Sequence, residues 1–149
     1  MTDQAAALDA LVTHASEHLF KMSEAEASVR RADDAWSPKE ILGHLIDSAS
    51  NNHQRFVRAQ LQESLEMPGY EQDGWIRVQR YSTERWSEII TLWQAYNRHL
   101  SHVIAAMNPG SLKKVCQIGE YDPATLEFLV IDYVDHMRHH LKQIDPALA

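Results

Sequence analysis

With a single cysteine among 149 residues, the chain cannot close an intramolecular disulfide, so its stability must come from packing. Glycine and proline number five each, too few for a loop-dominated or fibrous architecture. No apolar run approaches the ~20 residues needed to cross a bilayer, which predicts no membrane partner. No segment alternates apolar and polar residues convincingly enough to build a sheet. The start, Met1-Thr2-Asp3-Gln4-Ala5, lacks a basic stretch leading into an apolar one, so no secretory signal is expected and the cytoplasm is the predicted compartment. Positive charge is also scarce. A formal net charge of −7 argues against nucleic acid as a partner, because that role needs a basic face. Five arginines, Arg55, Arg58, Arg77, Arg80 and Arg85, still fall close together. They are either solvated helix faces or a means of holding a small anionic substrate.

The apolar share is 44%, enough for a substantial core, and the length predicts one domain over residues 1–149. Four helices are expected. The first, over about residues 3–30, carries Leu8, Leu11, Val12, Ala15, Leu19 and Met22 at helical spacing. The second opens at Trp36-Ser37-Pro38-Lys39-Glu40, where Ser37 suits an N-cap, Pro38 the first turn and Glu40 a capping box, and runs to about residue 63. The third starts near Ser82-Thr83-Glu84, places Trp86, Ile89, Ile90, Trp93, Tyr96 and Leu100 on one face, and stops before Asn108-Pro109-Gly110. The fourth begins at Asp122-Pro123 and ends before Asp145-Pro146. Trp86 and Trp93 are expected in the core. Lys113 to Ile118 reads as a short extended piece too isolated for a sheet. Met67 to Trp75 reads as a non-periodic crossover, or a loop over a site. The fold class predicted is all-α: a four-helix bundle with a longer connection between its second and third helices.

Nine histidines are many for this length, and their phase on the helices sorts them. On the last helix Leu126, Val130, Tyr133, Met137, Leu141 and Ile144 span an arc of roughly 80°. His140 lies at the margin of that stripe, His136 roughly 40° farther out and His139 toward the opposite side. His136 and His140, four residues apart, can therefore reach one ion from the core-facing edge, whereas His139 cannot join them. Otherwise they are hydrogen-bonded histidines without a ligand. His14 and His18 fall beside the apolar stripe of the first helix and read as surface residues. His99 and His102 sit near a helix C-terminus, where imidazole complements the dipole. A third ligand would come from the second helix. His44 shares a polar seam with Ser48, Asn51 and Asn52 beside the stripe of Ile41, Leu45, Ala49 and Phe56. His53 lies across that stripe, and periodicity alone does not choose between the two.

The run from Trp36 through His44 to Ser48, followed by Arg55-Phe56, resembles the second-helix signature of the DinB/YfiT-like superfamily. The run from Asp135 to Ile144 is similar to that family's last-helix signature. The resemblance spans nearly the whole chain. It implies a four-helix bundle in which three histidines bind a divalent metal, typically zinc or nickel. Carried onto this sequence, the ligands are His44, His136 and His140, which resolves the choice against His53 by analogy. A role for His53 near the substrate stays open.

The family includes proteins described as metal-dependent hydrolases and others acting as low-molecular-weight-thiol S-transferases or isomerases. The leading expectation is therefore an enzyme acting on a small molecule by means of metal-activated water. The alternative is a thiol transferase, whose thiol would be a small molecule because Cys116 lies outside the ligand helices. A second alternative is a non-enzymatic metal-binding or interaction bundle. Asp47, Asn51 and Asp132 are candidates for orienting ligand imidazoles or substrate. A homodimer is implied by the resemblance only.

Overall fold

A computed structural model describes all of residues 1–149. Four long helices form the bundle: α1 (Thr2–Leu19), α3 (Pro38–Leu61), α5 (Trp86–Ala105) and α6 (Leu126–Ile144). Two short helices, α2 (Glu24–Ala27) and α4 (Gln72–Gln79), and three short strands, β1 (Leu65–Met67), β2 (Val115–Ile118) and β3 (Ala124–Thr125), occupy the connections. Helices α1 and α3 each pack on both α5 and α6, so α1 faces α3, and α5 faces α6, across the diagonals of the bundle. The chain therefore crosses a diagonal between α1 and α3 and again between α5 and α6. No helix is long and apolar enough to cross a membrane.

Local chemistry accounts for the helix boundaries. Ser37 accepts from the Glu40 amide and Glu40 returns the bond to Ser37, with Pro38 in the first turn; this is the predicted capping box. A second box, Ser23 with Glu26, starts α2, so the expected first helix of 3–30 is broken at Leu19 into two. The third helix starts at Trp86 rather than near Ser82, because Tyr81–Thr83 is a 3-10 turn. It follows Arg80, whose φ is 54°. The last helix starts at Leu126, capped by Thr125, whose side chain accepts from the Phe128 amide. Asp122-Pro123 precedes it in a loop.

The connections depart most from expectation. Val115–Ile118 does not stand alone. It pairs in parallel with Leu65–Met67, Cys116 opposite Leu65, and antiparallel with Ala124–Thr125. The result is a sheet in the order β1-β2-β3. Segment 67–75, read as non-periodic, contains the start of α4, capped by the Glu71 carboxylate on the Gly74 amide.

Trp93, Tyr133 and Phe56 are fully buried, and Trp86 nearly so, as their spacing predicts. Trp86 Nε1 donates to Leu19 O at 2.9 Å, tying α5 to the end of α1. Tyr133 donates to Asn97 Oδ1, joining α6 to α5. Gly43 has a packing reason. A Cβ there would lie 2.2 Å from Tyr81 Cδ2, so the Tyr81 ring occupies the space directly against Gly43. Gly43→Ala should destabilise the fold by about 1–3 kcal/mol, read as a lower denaturant midpoint. Gly69→Ala, with nothing within 4 Å of the new Cβ, should change stability by less than about 0.5 kcal/mol.

Candidate metal centre

Helices α3 and α6 pack face to face, and their inner edges bring three imidazoles together. His44 comes from α3 and is completely buried; His136 and His140 come from successive turns of α6 and are half-buried. Ring centroids are 5.0 Å apart for His44 and His136, 4.6 Å for His44 and His140, and 4.5 Å for His136 and His140. One nitrogen from each ring lies within 4.8 Å of the others, and Nε2 of His44 is 3.1 Å from Nε2 of His136. Two nitrogens each ~2.1 Å from one ion would be about 3–3.4 Å apart. The observed separation fits that range, and the donor set is one that zinc and similar ions favour.

Electrostatics keep the rings neutral. Burial, reinforced by the neighbouring imidazoles His140 and His136, pushes the pKa of His44 down to about 3. Burial and the same kind of neighbours push His136 down to about 4. His140 is lowered for the same first reason, with Gln143 opposing. Neutral imidazole is the form that ligates metal. The Gln143 carbonyl accepts from His140 Nδ1 at 2.8 Å, and its amide donates to His139 Nε2 at 3.1 Å. With its proton on Nδ1, His140 presents a bare Nε2 to the cluster. Trp36, just before the α3 cap, lies over the group, 5.0 Å from His44 and stacked 6.2 Å from His140. Nδ1 of His44 and of His136 have no partner.

The other histidines lie elsewhere. His139 is exposed, meets the His140 ring edge-on at 5.2 Å and shares Gln143 with it, on the side away from the cluster. His53 packs edge-on against His99 at 5.2 Å, with Nδ1 3.2 Å from the Tyr96 hydroxyl, in contact with α5 rather than with the three imidazoles. His14 bonds to Ala147 O and His18 to His14 O at the surface.

Asp47 is buried, and its Oδ1 accepts from Tyr81 and Gln79 at 2.7 Å each. Burial raises its pKa while those two bonds lower it. Asn51 donates to Asp47 O at 2.9 Å. Neither bonds to an imidazole. Asp132 lines a cavity of about 410 Å³ that begins at His136 and runs between α3, α6, the sheet and the Tyr70 loop. Of the five arginines only Arg55 lines it; Arg58, Arg77, Arg80 and Arg85 are exposed. Sequence reasoning missed Trp36 and Gln143 as neighbours of the site, and Tyr81 as the partner of Asp47. Gln143 was legible in principle, three residues from His140 and four from His139. Nothing local marked the other two.

Residues 7–144 match the family model described as the DinB superfamily. YfiT of Bacillus subtilis, named as a proposed metal-dependent hydrolase, is 23% identical over 83% of this chain and 70% of its own length. A Halalkalibacterium halodurans protein carrying the same proposed activity in its name is 21% identical over 85% of this chain and 74% of its own. The solved structure of B. subtilis YfiT, described as having an unusual four-helix bundle topology, superposes with a TM-score of 0.85 at 19% identity. The match covers 97% of this chain and 83% of that one. The fold is thus the four-helix bundle of that type, and with the family match extending over all but its two ends the chain belongs to the DinB superfamily.

Proposed function

We propose that the protein is a metal-dependent hydrolase of small molecules whose divalent ion, zinc or nickel, is held by Nε2 of His44, His136 and His140. The observation that carries this reading is the convergence of three neutral, largely dry imidazoles on one point at ligand spacing. The names of the relatives support it. When bound, such an ion acts as a Lewis acid and acidifies water at its remaining positions. The chain's own residues do the rest. Gln143 fixes the tautomer of His140, Trp36 covers the rings on one side, and the cavity at His136 admits the substrate. Asp132 shares the cavity with His136 and supplies a carboxylate for proton transfer, its proton affinity raised by burial and by Asp135. Cys116 is buried with its thiol pKa raised by that burial, so it is a poor nucleophile. The attacking group comes from outside the chain: water in this reading, a low-molecular-weight thiol in the transferase alternative.

Metal analysis of untagged protein prepared without chelators should give one equivalent per chain in the wild type. His44→Ala and His140→Ala should lose it, and His53→Ala and His139→Ala should keep it. Gln143→Ala should weaken binding about 10–100-fold. Equal loss in His139→Ala and His140→Ala would sink the assignment of ligands.

The metal-free protein has its own signature. The folded-state pKa values of about 3 for His44 and about 4 for His136 lie below the free value of about 6.5. Between those limits the unfolded chain binds protons that the native chain refuses, so stability falls as the pH drops from about 6.5 toward 4. In chelator, the urea midpoint should be lower at pH 5 than at pH 7. The slope should flatten in a His44→Gln, His136→Gln double variant. A wild-type midpoint that does not fall on acidification would show that these rings are not held neutral by burial.

A further inference from the structure

The cavity that starts at His136 also contains a guanidinium that forms no ion pair, although the charge of Asp132 acts on it from a distance. Arg55 projects from α3 into it and is half-buried. Its Nη1 donates to Asn52 Oδ1 at 3.3 Å, while its Nε is buried with no partner at all. Asp122 and Asp132 line the same cavity, yet neither forms an ion pair with it, the chain's ion pairs being Arg30–Glu40, Lys39–Glu24, Arg85–Glu88 and Arg138–Asp135. A charge withdrawn from water with an unused donor is costly unless something meets it. Asn52 is committed on its other side, its amide donating to Ser48 O and Oγ, so it holds the guanidinium in place rather than neutralising it.

Taking the metal reading as its basis, we infer that Arg55 binds a carboxylate of the substrate and thereby sets substrate class: a small monocarboxylate whose reacting end reaches the three histidines. A guanidinium offers a planar fork matched to a carboxylate. A single positive charge facing Asp122 and Asp132 suits a monoanion rather than a phosphate dianion. The apolar wall formed by Phe128, Leu129 and Tyr70 accommodates the chain between the two ends. His44 and Arg55 lie on one side of α3, roughly 16 Å apart along its axis at 1.5 Å per residue. The arginine leans back toward Asn52, so the span to be bridged is roughly 10 Å.

The test uses ω-mercaptoalkanoates of three to eight carbons and their uncharged amides as probes, titrated into the cobalt(II)-loaded protein and followed by the thiolate-to-cobalt absorption band. The wild type should bind the acid about tenfold or more tightly than the amide, most strongly in the longer members. Arg55→Met should bring the ratio to about one while leaving amide affinity and cobalt stoichiometry unchanged. A ratio near one in the wild type, or a preference that survives Arg55→Met, overturns the assignment. An alkylphosphonate that binds more tightly than the matching carboxylate overturns the monoanion class. If no cobalt binds and no band forms with acid or amide, the metal reading fails by itself. Calorimetry of the metal-free protein with hexanoate and hexanamide then decides the role of Arg55: an acid preference abolished in Arg55→Met sustains it, and no preference overturns it.

Discussion

Three imidazoles in one partly dry pocket are the constraint to which the rest of the structure answers. Each ring costs free energy to bury while its nitrogens lack partners, and charging any of them beside the other two costs more still. Two long helices, α3 and α6, are needed to hold them in register. The start of α3 is correspondingly well anchored: a full capping box at Ser37, Arg30 bonded to Glu40, and Lys39 bonded to Glu24 of α2. That last bond runs on to the Trp86 amide, so the start of α3, α2 and the start of α5 form one polar junction. His44 sits two turns into the helix so anchored.

Much of this was legible because helices encode their faces locally. The apolar stripe of Leu126, Val130, Tyr133, Met137, Leu141 and Ile144 separates His136 and His140 from His139, and all six stripe residues are buried in the structure. The competition between His44 and His53 was not decidable that way. Both flank the stripe of α3, one on each side, and which side meets α6 is a property of the bundle. His53 meets Tyr96 and His99 of α5 instead. The sheet was illegible for a related reason. Strands of two to four residues carry too little alternation to recognise. Leu65 and Cys116 are neighbours in the sheet, and a sequence window cannot see a parallel partner about fifty residues away.

The long connections turn a plain bundle into one with a usable interior. The two diagonal crossings carry α2 and the strands β2 and β3, and the connection from α3 to α5 carries β1 and α4, so that β1 joins β2 and β3 in the small sheet. Cys116, Ile118 and Ala124 of that sheet, with Gly69 and Tyr70 from the loop after β1, wall the cavity beside His136. Gly119, at φ 53°, donates its amide to Met67 O at 2.8 Å, closing the loops against each other where a residue with a Cβ would be strained. The bundle thus supplies the imidazoles and the connections supply the room next to them.

The polar seam of α3 carries the same logic to the level of single atoms. Between His44 and Arg55 the side chains satisfy one another, Asn52 donating to Ser48 and accepting from Arg55. A satisfied seam beside an apolar stripe costs little. The unpartnered atoms fall at its two ends, Nδ1 of His44 and Nε of Arg55, together with Nδ1 of His136 across the gap. Asp47 Oδ2, on the next turn of α3 after His44, is a fourth. Trp93 Nε1, deep in the core, has no comparable explanation. Unmet polar groups scattered through a core read as defects. Here four of the five lie on α3 and on the helix opposite it, and two of their residues, Arg55 and His136, line one cavity; such local violations are what a binding site costs a stable fold.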